Sequence, residues 1–330
     1  KDDKGIYVSG AKAHQTGCIN SHWIILMPTV RLTENDKDWA VVGAIPADAK
    51  GVTYIYGRQS CDTRSMEEGT IDDGNAKYGG QEALMVLDRV FIPWDKVFMH
   101  GEYEFASMLI ERFTCYHRRS YVCKTGLGDV LIGAAATIAD YNGIPNVSHI
   151  KDKLIEMTHL NETIFAAGIA SSHQGHKMKS GVYLNEDMLA QVCKHNVTRF
   201  PYEISRLAQD IAGGLVVTLP SEKDFRHPVA GPMLKKYLKG RKGVDVENRM
   251  RVLRLIENMT LGRNAVGYLT ESMHGAGSPQ AQRIQMQRQM QIGYKKNLAK
   301  NLAGITNDIE KPNEPSDYFN RVFKTKDSVL

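Results

Sequence analysis

The 330 residues carry 42 Lys and Arg against 37 Asp and Glu, so the net charge is +5, and charged side chains make up 24% of the chain. With a mean hydropathy of −0.35, this balance excludes a disordered polyelectrolyte, and no apolar run approaches the roughly 18 residues that a membrane-spanning helix needs. A chain of this length forms one large domain or two around a core that needs no disulfide or metal staple, and a weak positive charge without a concentrated basic face excludes nucleic acid as an expected partner.

The opening Lys1-Asp2-Asp3-Lys4-Gly5 has no signal-peptide pattern, so a cytoplasmic location is expected. Short β-branched or aromatic runs come next: Gly5 to Ser9, Trp23 to Met27, Trp39 to Ile45, Val52 to Tyr56 and Ala83 to Leu87. Such runs between Gly, Pro, Asn and Asp predict the antiparallel strands of a small barrel or sandwich, with Asp88 to Pro93 closing the β region. Near residue 101 the period becomes helical. Leu154, Met157, Leu160, Ile164 and Ala167 form one stripe, and Met250, Leu253, Ile256, Met259 and Ala265 a second. Ser278-Pro279 is a helix start, and the Gln-rich helix after it carries Ile284, Ile292 and Leu302, which are read with the other stripes as bundle core. The basic stretch from Leu234 to Gly243 is either a solvated loop or a contact for the phosphates of a nucleotide tail. The expected organisation is a β domain over residues 1–101 and a helical bundle over 102–330.

Five cysteines, Cys18, Cys61, Cys115, Cys123 and Cys193, have no C-x-x-C and no even spacing, which argues against a disulfide framework or a zinc finger. Polar chemistry gathers in four stretches. Ala13 to His22 offers imidazole, amide and hydroxyl groups that can line a planar heterocycle, and Arg58 to Arg64 mixes two fixed cations with short donors. Tyr116 to Lys124 holds an imidazole, a phenol, a thiol and an amine; helical spacing lets His117, Tyr121 and Lys124 share a face. Cys123 falls about 120° off that face on a regular helix. Thr270 to Pro279 adds Glu271 and His274 on a Gly-rich approach to a helix N-terminus.

Together with Gly10 to Gly17, Tyr56 to Arg64, Gly79 to Leu84, His149 to Glu162 and Thr270 to Arg283, these segments make the chain similar to the 4-hydroxybutyryl-CoA dehydratases. Those are flavin and iron–sulfur members of the 4-hydroxyphenylacetate 3-hydroxylase superfamily. The resemblance implies an α+β, acyl-CoA dehydrogenase-like fold, an antiparallel β-barrel domain followed by a C-terminal helical bundle, with the family's N-terminal helical domain missing from this chain. It implies radical dehydration of 4-hydroxybutyryl-CoA to crotonyl-CoA, with isomerisation of vinylacetyl-CoA to crotonyl-CoA. FAD would lie near His14, Gln15 and Thr16, with Asn196, Arg199, Gln209, Gly213 and Gly214 as further cofactor contacts and a homotetramer as the assembly. Gly17 and Arg58 would meet the CoA thioester. His117 and Cys123 would ligate a 4Fe-4S cluster, two other ligands coming from the missing domain. His117, Glu82, Tyr121, Lys124 and Glu271 would be catalytic. The family separates its histidine and cysteine ligands by seven residues and this chain by six, so a tight turn or break is expected between Tyr121 and Lys124 if Cys123 is to reach the iron. The rival expectations are a flavin-dependent aromatic hydroxylase and an inactive flavin-binding subunit.

Overall fold

A computed structural model describes residues 1–57 and 82–309. Six strands come first: β1 (Gly5–Lys12), β2 (Trp23–Leu26), β3 (Val41–Pro46), β4 (Val52–Tyr56), β5 (Ala83–Pro93) and β6 (Val97–His100). They pair antiparallel in two three-stranded sheets, β1-β5-β4 and β2-β3-β6. Among the described residues no ladder joins the two, so the expected closed barrel is corrected to an open pair of sheets. The reason lies in where the apolar faces point. Ile6, Met85, Leu87, Val90 and Ile92 of one sheet meet Leu26 and Ile45 of the other in a single cluster, which buries one face of each sheet without closing the edges.

The expected closing stretch, Asp88 to Pro93, is the second half of β5, and β6 extends the β region beyond it. β5 continues to Pro93, because Asp88 and Arg89 together oppose Ser9 in a bulge and Arg89 takes a left-handed φ of 49°. Burial runs through Ala83, Met85 and Leu87, then resumes out of phase at Val90 and Ile92. A bulge moves the inward-facing set by one residue, which keeps a long strand buried on the same side.

The helical part begins with α1 (Ala106–Ser120), a 3-10 turn (Tyr121–Cys123), α2 (Lys124–Tyr141) and α3 (Ser148–His173). A two-stranded ribbon, β7 (His176–Lys177) with β8 (Tyr183–Leu184), precedes α4 (Asp187–Val197) and α5 (Phe200–Ala212). Then come α6 (Glu222–Arg226), α7 (Ala230–Tyr237), α8 (Val246–Thr260) and α9 (Arg263–Ala265). From α9 the chain passes without a break through a π-helix (Val266–Thr270) into α10 (Glu271–His274), followed by α11 (Pro279–Gln289) and α12 (Ile292–Leu302).

The stretch Tyr103–Tyr141 is, by length and composition, apolar enough to cross a membrane, which the sequence reading did not anticipate because Gly and Ala dilute its apolar runs. Its α2 portion instead supplies Leu131, Ala134, Ala135, Ile138 and Ala139 to the helical core, where Met157 and Leu160 of α3, Ile204, Leu207 and Ile211 of α5 and Met250, Leu253 and Ile256 of α8 meet them. The small residues on α2 let the neighbouring helices approach closely.

Ile284, Ile292 and Leu302 do not join this core and are exposed. Gln291, at a φ of 48°, breaks the expected single helix into α11 and α12, so the apolar positions on either side no longer make one stripe. Ser278 does cap α11, its Oγ accepting from the Ala281 N–H at 3.3 Å.

Candidate active site

The 3-10 turn joins α1 to α2 where the sequence is one residue short of the family spacing. Tyr121 is buried, on the face that the helical spacing predicted for it, while Cys123 is exposed. The His117 and Tyr121 rings lie 5.4 Å apart. The Tyr121 hydroxyl donates to Glu271 Oε1 at 2.8 Å, and the Lys124 ammonium donates to Glu271 Oε2 at 2.9 Å. His117, Tyr121, Lys124 and Glu271, named from the sequence, therefore form one cluster at the junction of α1, α2 and α10.

The π-helix helps to build it. A widened turn frees carbonyls from the regular ladder, and the Gly267 carbonyl accepts both Lys124 Nζ and Ser272 Oγ, each at 2.8 Å. Gly275 closes the other side: a Cβ there would fall 1.6 Å from the Tyr121 hydroxyl. Only a glycine leaves room for the phenol.

Charges around the cluster set protonation. Burial, with the charge of Glu271 next, pushes the Tyr121 phenol far up, and Glu82 adds to the effect, so Tyr121 holds its proton. Burial also pushes the His117 imidazole down, helped by Lys194 and opposed by Glu271. The neutral form is favoured, and its Nδ1 is buried with no hydrogen-bond partner among the described residues.

Three buried residues escaped the sequence reading. Arg118 donates Nε to the Ala276 carbonyl at 3.0 Å and Nη1 to Gln191 Oε1 at 2.7 Å, tying α1 to the loop after α10 and to α4. Lys194, wholly buried on α4, donates to the Ser272 carbonyl and sits 3.5 Å from the Tyr121 ring centroid. Ser272 is the third. The available signal was Lys194 itself, a cation at helical spacing between the buried Ala190 and Val197.

Of the other named residues, Gln15, Thr16 and Glu82 come together at the loop after β1. The Thr16 hydroxyl donates to the Glu82 carboxylate at 2.8 Å, and the Gln15 N–H donates to the Ala83 carbonyl at 2.9 Å, so the loop after β1 folds onto the start of β5. His14 holds a left-handed φ of 59° and Gly17 one of 73°. Asn196 on α4, Arg199 at the start of α5, Gln209 on α5, and Gly213 and Gly214 just past its end lie in the helical part; Arg199, Gly213 and Gly214 are exposed. Arg58 lies outside the described residues.

The exposed loop, with its hydroxyl, amide and imidazole groups, fits the donor needs of a flavin ring. For an iron–sulfur cluster, the His117 imidazole with its unpartnered Nδ1 would suit one ligand and the exposed thiol of Cys123 a second. No group of three or more His, Cys, Asp or Glu that could hold a metal gathers among the described residues, so these two would be only part of a ligand set.

Comparison with known proteins completes the picture. The family model for 4-hydroxyphenylacetate 3-hydroxylase, N terminal, matches residues 1–99, and that for its C terminal matches residues 106–304. A 4-hydroxybutyryl-CoA dehydratase/vinylacetyl-CoA-Delta-isomerase from Clostridium aminobutyricum is 59% identical over 92% of this chain and 64% of its own length. An oxygen-tolerant archaeal 4-hydroxybutyryl-CoA dehydratase from N. maritimus is 91% identical, with a TM-score of 0.96 over 99% of this chain and 66% of that one. The oxygenase component HpaB of 4-hydroxyphenylacetate 3-monooxygenase, solved with FAD and 4-hydroxyphenylacetate, shares the fold at 22% identity and a TM-score of 0.80, covering 92% of this chain and 63% of its own. The chain thus spans about two thirds of the length of these relatives.

Proposed function

Because this chain belongs to the 4-hydroxyphenylacetate 3-hydroxylase family, matched along both its N-terminal and C-terminal parts, we propose that it serves the dehydration of 4-hydroxybutyryl-CoA to crotonyl-CoA, with isomerisation of vinylacetyl-CoA as a second activity. The observation that carries the proposal is the convergence of Tyr121 and Lys124 on Glu271 beside His117, whose buried Nδ1 has no hydrogen-bond partner among the described residues. The relatives described as dehydratases, at 59% and 91% identity, support the same substrate class. A homotetramer is part of the proposal.

The chemistry is demanding because the C3 hydrogen of the substrate is not acidic and hydroxide is a poor leaving group. Bound FAD would supply one-electron chemistry, and a 4Fe-4S cluster held in part by His117 and Cys123 would supply a Lewis acid for the departing hydroxyl. The protein's own groups must move protons and hold the thioester. His117, kept neutral by burial, can accept a proton. It would act as cluster ligand and as base for one of the two deprotonations, roles that exclude one another at any moment if one nitrogen serves both. Tyr121, kept protonated, can hold a proton at its hydroxyl next to the Glu271 carboxylate, while Lys124 fixes the second oxygen of that carboxylate. Glu82, bound to Thr16 at the mouth of the flavin loop, would link the two groups, since its charge reaches Tyr121. Gly17 and Arg58 are proposed to contact the CoA thioester.

Flavin and iron analysis of anaerobically purified holoenzyme tests this reading, together with H117Q. The expected result is FAD with a four-iron cluster in the parent, and in H117Q retained FAD, depleted iron and no dehydration. Flavin without iron in the parent, or H117Q turning over near the parental rate, would overturn it.

A further inference from the structure

Lys194 is a wholly buried ionisable group that the proposed chemistry leaves unused. It lies on α4 at helical spacing from Ala190 and Val197, all three wholly buried, so the backbone directs its side chain inward. Among the described residues it makes no ion pair. Its amino group instead donates to the Ser272 carbonyl and rests 3.5 Å from the centroid of the Tyr121 ring. The charged and titratable groups that act on it are Glu271, Lys124, Arg118 and Cys193, and burial outweighs them all. A polar group placed so deep is costly unless its contacts compensate.

Those contacts touch both halves of one hydrogen bond. The Tyr121 hydroxyl donates to Glu271 at 2.8 Å; Lys194 holds the Tyr121 ring by its face and, at Ser272, the backbone one residue after Glu271. From the other side, Lys124 holds the Gly267 carbonyl and the second oxygen of Glu271. Two lysines, one from α2 and one from α4, thus clamp the π-helix and α10. A π-turn carries an extra residue; relaxing it to a regular α-helix would rotate α10 by about 100° and swing Glu271 away from Tyr121.

We infer that Lys194 is a positioning residue, fixing the Tyr121 phenol and the Glu271 carboxylate to each other by gripping the ring of one and the backbone of the other. It acts through these two groups and does not itself meet the substrate.

The test uses holoenzyme labelled with 3-fluorotyrosine, the Tyr121 fluorine resonance being assigned by its loss in Y121F. K194M keeps the side-chain length and removes the donor; K194R keeps a donor. In K194M the Tyr121 resonance should move or broaden, kcat for 4-hydroxybutyryl-CoA should fall at least about tenfold, and KM should change less than about threefold. K194R should restore part of both. Should K194M fail to fold, K194Q is read in the same way. An unmoved resonance with unchanged kcat, even beside a lowered melting temperature, would overturn the inference and leave Lys194 a structural residue. The kinetic arm rests on the dehydratase reading, but the fluorine arm does not: a parent that fails to dehydrate would defeat that reading while the resonance still decides the role of Lys194.

Discussion

Tyr121 has little freedom: Glu271 at its hydroxyl, His117 5.4 Å from its ring, Lys194 on its face, and no room for a Cβ at Gly275. Gly275 has an ordinary φ of −57°, so alanine there is opposed by space and not by backbone strain. G275A should displace the phenol from Glu271 and lower kcat about 10- to 100-fold, since a misplacement near 1 Å is enough for that loss, while flavin content stays at the parental level. Turnover equal to the parent would show that the phenol has no part in the reaction. Lys194 makes a second, thermodynamic claim. Burial pushes its amino group from 10.5 down to about 7. Between those values the unfolded chain binds the proton that the folded protein has lost, so this group's contribution to stability rises with pH across that window; below about pH 7 the cost of burying the charge is fully present. Denaturant unfolding at pH 7 and pH 9 should show the parent gaining stability relative to K194M at the higher pH. A gain at the lower pH would reverse the sign and contradict the assignment.

At the scale of elements, the turn between α1 and α2 decides which residues face inward. Gly168 on α3 lets it dock: a Cβ there would lie 2.6 Å from Val122 Cβ in the turn. G168A should cost about 1 to 3 kcal/mol by overpacking, read as a lower denaturation midpoint with an unchanged slope. Stability equal to the parent would mean that the turn does not pack where the structure puts it. Much of this region was legible in the sequence. The spacing of His117, Tyr121 and Lys124 predicted a shared face from local helix geometry, while the tight turn was expected from the resemblance, whose ligand spacing is one residue longer. The stripes through Met157 and Met250 were legible for the same reason. The π-helix and Lys194 were not, since their meaning depends on Glu271, which sits 77 residues beyond Lys194 in the chain. Arg89 and Gln291 were missed because a left-handed residue other than glycine leaves no mark in composition or period. The barrel expectation failed on long-range pairing, which alternation within one strand cannot fix.

For the whole molecule, the two sheets and the helical bundle bury separate hydrophobic clusters, and the residues proposed to act divide between them in the same way. The loop proposed to meet the flavin and Glu82 belong with the strands; His117, Tyr121, Lys124 and Glu271 belong to the helices. The Glu82 charge, the smallest of the influences that raise the Tyr121 phenol, acts from one group on the other. A dehydration that withdraws an electron and returns it needs both, and it leaves no net redox change for an outside acceptor to record. Anaerobic incubation of the holoenzyme with 4-hydroxybutyryl-CoA alone should therefore yield crotonyl-CoA, with no electron acceptor supplied and none consumed. A holoenzyme that binds FAD, leaves 4-hydroxybutyryl-CoA untouched and instead hydroxylates 4-hydroxyphenylacetate with oxygen and reduced flavin would contradict the dehydratase assignment.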